Sequence, residues 1–416
     1  MKTLMFVEPV VFRGDPLFLA PHLTGWGLPM LQIHRQASSD PWILASSRDL
    51  CDLAKRHVPD IETRALPSWP LLAGADYDRH RYAAALFDQA IALQAQDGQG
   101  VLAPLFAALE SIRETFAPEL VIASAQNSVL PLVFPDARIV WIEQAPLPRR
   151  RGTARLSVDP CGHQQQSALQ LGAERLKRHP VDPEHLVTIE ALWRRMLAPA
   201  DHEHNIYNEL QRAIAERAAD APVALLVLQP SDWLTWEGTL GHACTPETIL
   251  ARWAAALPAG WIGIPMHHPD ARLPEALEAS LAAAFPNLRP LPPHLSVNTA
   301  EWALSAATAV VTVSSSLAAT ALISGKHVVV APNSPLSNLA STSLLSLHDP
   351  APNLDRSQRA ALLMMLSHRY SLSLADALQP GGGFHTHLQA LMVAADPLEW
   401  LLDLTDGSPD QLASLV

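Results

Sequence analysis

Four near-continuous apolar, β-rich runs in the second half of the chain constrain its fold most strongly. None of them alternates polar and apolar residues, as a strand with one solvated face does. A strand that is apolar along its whole length has both faces covered, as in a parallel sheet with helices on either side. The runs are residues 223–229, 260–265, 308–313 and 327–331, and helices are predicted between them over 246–256, 273–284 and 317–324.

The first half predicts a second sheet of the same kind. Short buried strands are expected at 4–7, 42–45, 119–123 and 138–142, and helices at 82–96 and 101–116. A charged, mostly helical stretch over 163–220 joins the two halves. Alternating strands and helices are typical of an α/β fold, and 416 residues suffice for two such domains.

We therefore predict two Rossmann-like domains that face a cleft, a GT-B-like architecture. The first domain, with the helical bridge, is expected over residues 1–200 and the second over 201–350. A C-terminal helical tail is expected over 351–416. The sequence does not decide whether this tail packs on the first domain.

Charge and cysteine content exclude several classes of protein. Asp and Glu number 41 against 29 Lys and Arg, which gives a formal net charge of −12. The longest basic run is Arg149, Arg150 and Arg151, so a nucleic-acid binder is not expected. Three cysteines far apart in sequence fit a reducing, cytoplasmic compartment. The uncharged stretch 302–325 holds eight Ser and Thr, which favours a strand, a polar loop and a buried helix over a membrane span.

Two carboxylates follow predicted strands, one in each half. Ligands of open parallel sheets bind beyond the carboxyl ends of the strands. Glu143 ends the strand at 138–142, and Asp232 follows the strand at 223–229 together with Gln229. Glu143 as a helix cap or partner of Arg149, and Asp232 as a turn residue, are the ordinary alternatives. One carboxylate from each domain in a single cleft is what glycosyl transfer through a covalent intermediate requires.

A histidine pair follows the strand at 260–265. Adjacent residues at a strand end point in different directions, so one of His267 and His268 is expected to face the cleft. We favour His268, because Pro269 fixes the turn after it. A zinc site that also uses His294 lacks the ligand spacing of known zinc motifs. An imidazole that hydrogen-bonds a phosphate or a carboxylate is the expected role.

Three consecutive serines carry the most specific signal in the sequence. Ser314, Ser315 and Ser316 end a buried strand, and a helix of small residues begins at once. Hydroxyls and free backbone N–H groups then meet at the positive end of a helix, which suits an anion. Neither a Walker A loop nor a G-x-G-x-x-G motif is present. A serine N-cap would account for only one of the three.

In their order along the chain these motifs resemble those of bacterial capsule and lipopolysaccharide glycosyltransferases of the retaining β-Kdo transferase type. The likeness covers roughly residues 119 to 335. Two positions depart from the family pattern, His267 and Ala145. The resemblance is carried by Ile142-Glu143 with Pro146, Asp159-Pro160-Cys161-Gly162, Gln229 with Asp232, His268-Pro269, and the block from Val310 to Val329.

The resemblance implies a donor, a mechanism and an acceptor. The donor would be CMP-β-Kdo, used without a metal ion and bound by the second domain, with the first domain on the acceptor side. Asp232 would be the nucleophile and Glu143 the acid/base, while Asp159, Asp15 and Glu8 are weaker candidates. His268 and Ser314 to Ser316 would hold the phosphate and the Kdo carboxylate, with His267 and Gln229 beside them. The acceptor would be a lipid-linked O-antigen or capsule glycan, reached by peripheral contact with the inner membrane or an assembly complex.

Two other classes of function fit the same motifs. One is another GT-B sugar-nucleotide enzyme, either a UDP-sugar transferase or a 2-epimerase, because these also place a serine loop on phosphate. The other is a catalytically silent, glycosyltransferase-like module of an assembly complex. Release of CMP from CMP-Kdo, with no turnover of UDP-sugars, would distinguish a Kdo transferase from the first class. Loss of activity in Asp232→Asn would distinguish it from the silent module.

Overall fold

Two separate sheets, each with a parallel core, form the framework of the molecule. The computed structural model describes residues 1–12, 14–37, 39–71, 89–100, 102–124, 127–148, 155–162, 164–230, 245–269, 272–379 and 383–404. The strands are β1 (Thr3–Phe6), β2 (Val10–Phe12), β3 (Trp42–Ser47), β4 (Thr63–Leu66), β5 (Trp69–Leu71), β6 (Leu120–Ala123), β7 (Arg138–Gln144), β8 (Arg155–Asp159), β9 (Val223–Val227), β10 (Ile262–Met266), β11 (Ala309–Thr312), β12 (His327–Val329) and β13 (Ser371–Ser373).

Helices cover and connect the strands. Several of the longer ones begin at a side-chain cap; for example, the Asp355 carboxylate accepts from the Gln358 N–H in a capping box. The helices are α1 (Ala20–His22), α2 (Leu28–Ala37), α3 (Arg48–His57), α4 (Gln89–Gln96), α5 (Ala103–Phe116), α6 (Val129–Val133), α7 (Ala168–Leu171), α8 (Ala173–Arg178), α9 (Pro183–Leu197), α10 (His204–Ala218), α11 (Pro246–Ala256), α12 (Glu275–Ala284), α13 (Pro293–Ser296), α14 (Ala300–Ala303), α15 (Leu317–Ile323), α16 (Arg356–Ser367), α17 (Leu374–Ala377), α18 (Gly383–Val393) and α19 (Pro397–Leu402). A π-helical turn (Leu23–Gly27) joins α1 to α2.

The first sheet has seven strands in the order β13-β8-β7-β6-β1-β3-β4. The five strands from β7 to β4 are parallel, and β8 pairs antiparallel with β7. Alternate residues of β1 enter two different cores, Met5 on one face and Leu4 and Phe6 on the other. Both faces are therefore covered, as the apolar runs require.

The second sheet has four parallel strands in the order β10-β9-β11-β12. Along β9, Val223, Leu225 and Val227 enter one core, and Ala224 and Leu226 enter the other. This alternation explains why the strand is apolar throughout. The stretch 302–325 forms β11, a serine loop and the buried helix α15, as predicted.

The C-terminal segment returns to the first sheet. Strand β13 pairs antiparallel with β8, and α18 contributes Phe384 and Leu388 to the core against α2. The other elements in the described residues of this segment are the helices α16, α17, α18 and α19. The packing of the tail, left open by the sequence, is thus settled, and the predicted α/β, GT-B-like class with two Rossmann-like sheets is confirmed.

Candidate functional site

The second sheet has its topological switch point between β9 and β11. From β9 the chain passes to β10 on one side and later to β11 on the other, which opens a crevice at the carboxyl ends of these two strands. Gln229 lies two residues beyond β9 and Ser314 two residues beyond β11. Two of the predicted site residues are therefore at the place where an open parallel sheet binds ligands.

Gln229 ties the two strand ends together. Its Nε2 donates to Ser314 Oγ (3.2 Å), and its Oε1 accepts from the Ser314 N–H (2.9 Å) and from Thr312 Oγ1 (3.3 Å). The single Thr312 hydroxyl proton is shared with the Val227 carbonyl oxygen, which lies 3.1 Å from Oγ1. One side chain thus fixes the start of the serine loop on both its backbone and its hydroxyl.

The three serines differ in their tasks. Ser315 Oγ accepts from the Leu317 N–H (3.3 Å), whereas Ser316, the residue before α15, makes no side-chain cap. All three are half-buried at the carboxyl edge of the sheet. A serine loop held at one end by Gln229, with hydroxyls reaching the surface, can donate hydrogen bonds to an anion.

The structure separates the two adjacent histidines. The His267 side chain is 1% exposed and its Nε2 lies 2.9 Å from Glu278 Oε1 on α12, while its backbone N–H donates to the Ser296 carbonyl (2.8 Å). His268 is half-buried. The buried pair with Glu278 favours a packing role for His267, whereas His268 is the more accessible of the two at the end of β10.

The switch point of the first sheet lies between β1 and β6. Glu8, two residues beyond β1, is 0% exposed, and both its carboxylate oxygens accept from Asn127 Nδ2 (3.3 and 3.1 Å). Asn127 Oδ1 in turn accepts from the Val129 N–H at the start of α6 (3.0 Å). The Ser124 hydroxyl is buried beside them, and no described residue hydrogen-bonds it. Glu8 holds the β6–α6 connection to β1 and is closed to solvent.

Glu143 lies at the end of β7 and is half-buried. Its Oε1 accepts from the N–H of its neighbour Gln144 (2.8 Å), and its backbone carbonyl accepts from Ser157 Oγ on β8 (3.0 Å). No described residue pairs its charge in a salt bridge, and Arg149, the partner weighed for it, lies outside the described residues. The carboxylate is thus placed at the carboxyl edge of the first sheet.

Asp159 is a buried structural carboxylate. Oδ1 accepts from the N–H groups of Cys161 (2.8 Å) and Gly162 (3.3 Å), and Oδ2 accepts from the Ala168 N–H (2.8 Å). The Tyr370 hydroxyl donates a further hydrogen bond. Burial raises the pKa of Asp159 to about 6 despite these bonds. With its oxygens occupied, Asp159 organises the turn after β8 and has no lone pair directed at a cleft.

The predicted nucleophile lies outside the described part of the chain. Asp232 falls in the gap 231–244, so its role as nucleophile stays a prediction.

Among the described residues, no three His, Cys, Asp or Glu side chains are grouped as metal ligands would be. His294, weighed as a zinc ligand, is exposed, and its Nε2 is 2.9 Å from Glu209 Oε1. No helix in the described ranges is long and apolar enough to cross a membrane.

The carboxyl edge of the second sheet contacts the segment that follows β8. Gln170 on α7 donates to Ser337 Oγ (2.8 Å), and its Oε1 accepts from the Asn338 N–H (3.1 Å). Gln165 Nε2 donates to Asn333 Oδ1 (2.5 Å) just beyond β12. The edge that carries Gln229 and the serine loop is therefore turned toward the segment that leaves the first sheet.

Sequence reasoning missed the partners that hold these residues. Glu278 and Thr312 fix His267 and Gln229, and Tyr370 binds Asp159 from the C-terminal segment. Thr312 has a detectable signal, because it is a polar residue two positions before the serines in an otherwise apolar strand. Glu278 and Tyr370 have none, since only the fold brings them to their partners.

Comparison with known proteins gives no match to any family model and none to any curated protein. Solved structures of similar architecture include KpsC, beta Kdo 2,7 transferase, from Thermosulfurimonas dismutans, at 13% identity and a TM-score of 0.39, covering 83% of this chain and 99% of that one. A putative UDP-N-acetylglucosamine 2-epimerase from Listeria monocytogenes has 13% identity and a TM-score of 0.32 (88% and 95% covered). CalG4, the calicheamicin glycosyltransferase, has 16% identity and a TM-score of 0.33 (96% and 98% covered).

Proposed function

We propose that this protein is a retaining glycosyltransferase that transfers β-Kdo from CMP-β-Kdo to a bacterial surface glycan. The observation that carries the proposal is the hydrogen bonding of Gln229 to Ser314 at the switch point of the second sheet. It holds a loop of three serine hydroxyls where a nucleotide-sugar phosphate would lie in such a fold. The order of the sequence motifs supports the choice of Kdo as the sugar.

The charge of the donor matches the groups at this edge. Kdo carries a carboxylate on its anomeric carbon, beside the phosphate that leaves, so the site has to stabilise two neighbouring negative charges. Ser315, Ser316 and His268 would donate hydrogen bonds to them, and a leaving phosphate gains most from donors that are already in place. The proposed reaction uses no metal ion.

Asp232 is the proposed nucleophile. Its carboxylate would attack the anomeric carbon of Kdo, and the bond from that carbon to the phosphate oxygen would break, so that CMP leaves with the electron pair. The product of this step is a Kdo ester of Asp232. In the second step an acceptor hydroxyl would attack the same carbon and give its proton to Glu143, which frees Asp232. Two inversions at one carbon give net retention.

The proposed acceptor is a lipid-linked O-antigen or capsule glycan. A protein that works on such an acceptor has to meet it at the inner membrane, either by peripheral contact or within an assembly complex. The first sheet, with Glu143 at its carboxyl edge, is the proposed side for the acceptor.

A donor screen tests this proposal. Purified protein is incubated with CMP-Kdo, UDP-glucose and UDP-N-acetylglucosamine, and nucleotide release is measured with and without a glycan acceptor. We expect CMP release from CMP-Kdo alone. Turnover of a UDP-sugar in place of CMP-Kdo would contradict the Kdo assignment, and no turnover of any donor would favour a silent assembly module.

The Asp232→Asn variant tests the nucleophile. We expect a loss of transfer of at least about 10³-fold, as for other nucleophile substitutions, together with unchanged thermal unfolding. Asp220→Asn is the matched control, because Asp220 is an exposed aspartate just before β9, at the opposite edge of the same sheet. Full activity of Asp232→Asn would refute the assignment.

A further inference from the structure

A cavity of about 600 Å³ lies at the edge of the second sheet opposite the serine loop. Ser324 and Lys326 in its wall follow the end of α15, whereas Ser316 precedes the start of that helix. Seven residues of α-helix span about 10 Å, so the cavity and the serine loop are separate places. Its volume is in the range of pockets that hold small ligands.

The floor of the cavity is apolar and rigidly built. Trp193, Trp302 and Ile323 are buried in it. Trp193 Nε1 donates to Ser324 Oγ (3.1 Å), and Ser324 Oγ donates to the Thr320 carbonyl (2.7 Å). Tyr207, half-buried, meets the Trp302 ring edge to face, with 6.3 Å between the ring centroids. An aromatic floor of this kind suits the apolar face of a small ring.

Two cations border this floor. Lys326 Nζ is part-buried and donates to the Ala307 carbonyl (2.8 Å), which uses one of its three N–H donors. Within the described part of the chain no carboxylate lies in salt-bridge distance of Lys326, and burial lowers its pKa. The Arg359 guanidinium lies against Gly325, where φ is +71° and a Cβ would collide with it. An anion between Lys326 and Arg359 would restore the solvation that the ammonium has lost.

Basic side chains outnumber carboxylates in the lining of the cavity. Glu190 is bound by Arg356 through two hydrogen bonds (2.6 and 2.9 Å), and Arg194 adds a contact of 3.7 Å. Three Lys and Arg side chains line the cavity, those of Arg194, Lys326 and Arg359, against two carboxylates, those of Glu190 and Glu301. The surroundings of the cavity are therefore positive in a chain whose net charge is −12.

We propose that this cavity is a second ligand site that binds an acidic sugar, with the ring over the aromatic floor and its carboxylate or phosphate between Lys326 and Arg359. The proposal does not depend on the donor assignment, because none of the residues that line the cavity belongs to the serine loop or its neighbours. A carboxylated sugar of a glycan and a sugar phosphate share the chemistry that these side chains recognise.

Calorimetric titration with four probes tests the site. We expect glucuronic acid, glucose 6-phosphate or both to bind with a millimolar Kd. Glucose, which lacks the anion, and inorganic phosphate, which lacks the ring, should bind at least about tenfold more weakly. The acidic sugar that binds identifies the source of the anion. Binding of glucose or of inorganic phosphate as tight as that of the acidic sugars would overturn the proposal, as would no binding of either acidic sugar.

Two variants and a matched control test whether the acidic sugar binds at this cavity. Lys326→Gln and Arg359→Gln should each weaken the acidic sugar at least about tenfold, the effect of losing one charge-assisted hydrogen bond. Lys177 on α8 is paired with Glu174 outside the cavity. Lys177→Gln should therefore leave the affinity for the acidic sugar unchanged. Fluorine NMR of protein labelled with 5-fluorotryptophan adds an independent readout. The resonance of Trp193, assigned by Trp193→Phe, should shift on binding. Wild-type affinity in both charge variants, or an unmoved Trp193 resonance, would refute the site.

Discussion

Gln229 is the residue on which the geometry of the serine loop depends. Its amide supplies a donor and an acceptor at once, and Ser314, 85 residues later, supplies the complementary hydroxyl and N–H. An apolar residue at this position could satisfy neither group. The side chain therefore fixes the distance between the ends of β9 and β11.

Gln229→Ala should weaken donor binding more than it destabilises the fold. With the loop no longer held, we expect kcat/KM for the donor to fall by about 10- to 100-fold, chiefly through KM. Steady-state kinetics measure this effect. Gln211→Ala is the control, because Gln211 is a half-buried glutamine that hydrogen-bonds the Trp302 carbonyl far from the loop. An equal kcat/KM in the Gln229 variant and wild type would show that donor binding does not depend on the hydrogen bonds between Gln229 and Ser314.

Asp159 should make stability depend on pH. Its pKa of about 6 in the folded protein exceeds the value of about 3.9 for a free aspartate. Between these values the folded state holds a proton that the unfolded state has lost, so folding is favoured at low pH and that advantage disappears as pH rises. The expected loss between pH 4 and 7 is about 2 kcal/mol.

Asp159→Asn isolates this effect. The variant loses an acceptor for the Ala168 N–H and is less stable at every pH, but position 159 no longer titrates. Urea unfolding from pH 4 to 7 should show the free-energy difference between wild type and variant shrinking by about 2 kcal/mol as pH rises. A difference that stays constant would mean that Asp159 does not titrate in this range.

Among the elements, β13 shows how the tail is tied to the first sheet. Arg155 at the start of β8 donates from Nε to Ser371 Oγ (2.9 Å) and from Nη2 to the carbonyls of Ser367 and Ser371 (both 2.9 Å). The guanidinium thereby joins β8 to α16 and β13. Three bonds from one planar group are a geometry that lysine cannot reproduce.

Arg155→Met should loosen the C-terminal segment. We expect a loss of about 2–4 kcal/mol in unfolding free energy, because buried carbonyls lose their donor, and faster proteolysis after residue 370. Arg155→Lys should lose less. Arg64→Met, at an arginine of β4 paired with Glu62 at the other edge of the sheet, should change stability by no more than about 0.5 kcal/mol. Equal protease resistance in the Arg155 variants and wild type would contradict this role.

The sequence predicts the central strands of both sheets but misses β4 and β13, the two edge strands of the first sheet, for one reason. In β1, β9 and β11 every residue is buried, so the apolar runs are unmistakable. Strand β4 has one buried residue in four, and β13 consists of Ser-Leu-Ser, so neither carries a run. Their strand conformation comes from pairing with a neighbour, which a local pattern cannot reveal.

At the scale of the whole molecule, the sequence predicts where the candidate site lies but not which hydrogen-bond partners hold its residues. The positions of Gln229, Glu143 and the serines follow from where apolar strands end. Their hydrogen-bond partners come from other elements, and so does the division of tasks between His267 and His268. The distant cavity around Trp193 had no sequence signal at all, because α9, α10 and α15 contribute to it from separate parts of the chain.

The molecule should be stabilised by the nucleotide that fits its second domain. If CMP binds at the carboxyl edge of the second sheet, CMP at 100 times its Kd should add about 2.7 kcal/mol to the unfolding free energy. UMP should add less at the same concentration. Thermal unfolding in the presence of each nucleotide measures the difference. Equal stabilisation by both would argue against a cytidine site.

The most direct measurement is a crystal structure of the protein with CMP bound. The phosphate is expected against Ser314, Ser315 and Ser316, with His268 beside it, at the carboxyl edge of the second sheet. A nucleotide bound at the first sheet around Glu8 and Asn127, or in the cavity at the opposite edge, would contradict the account.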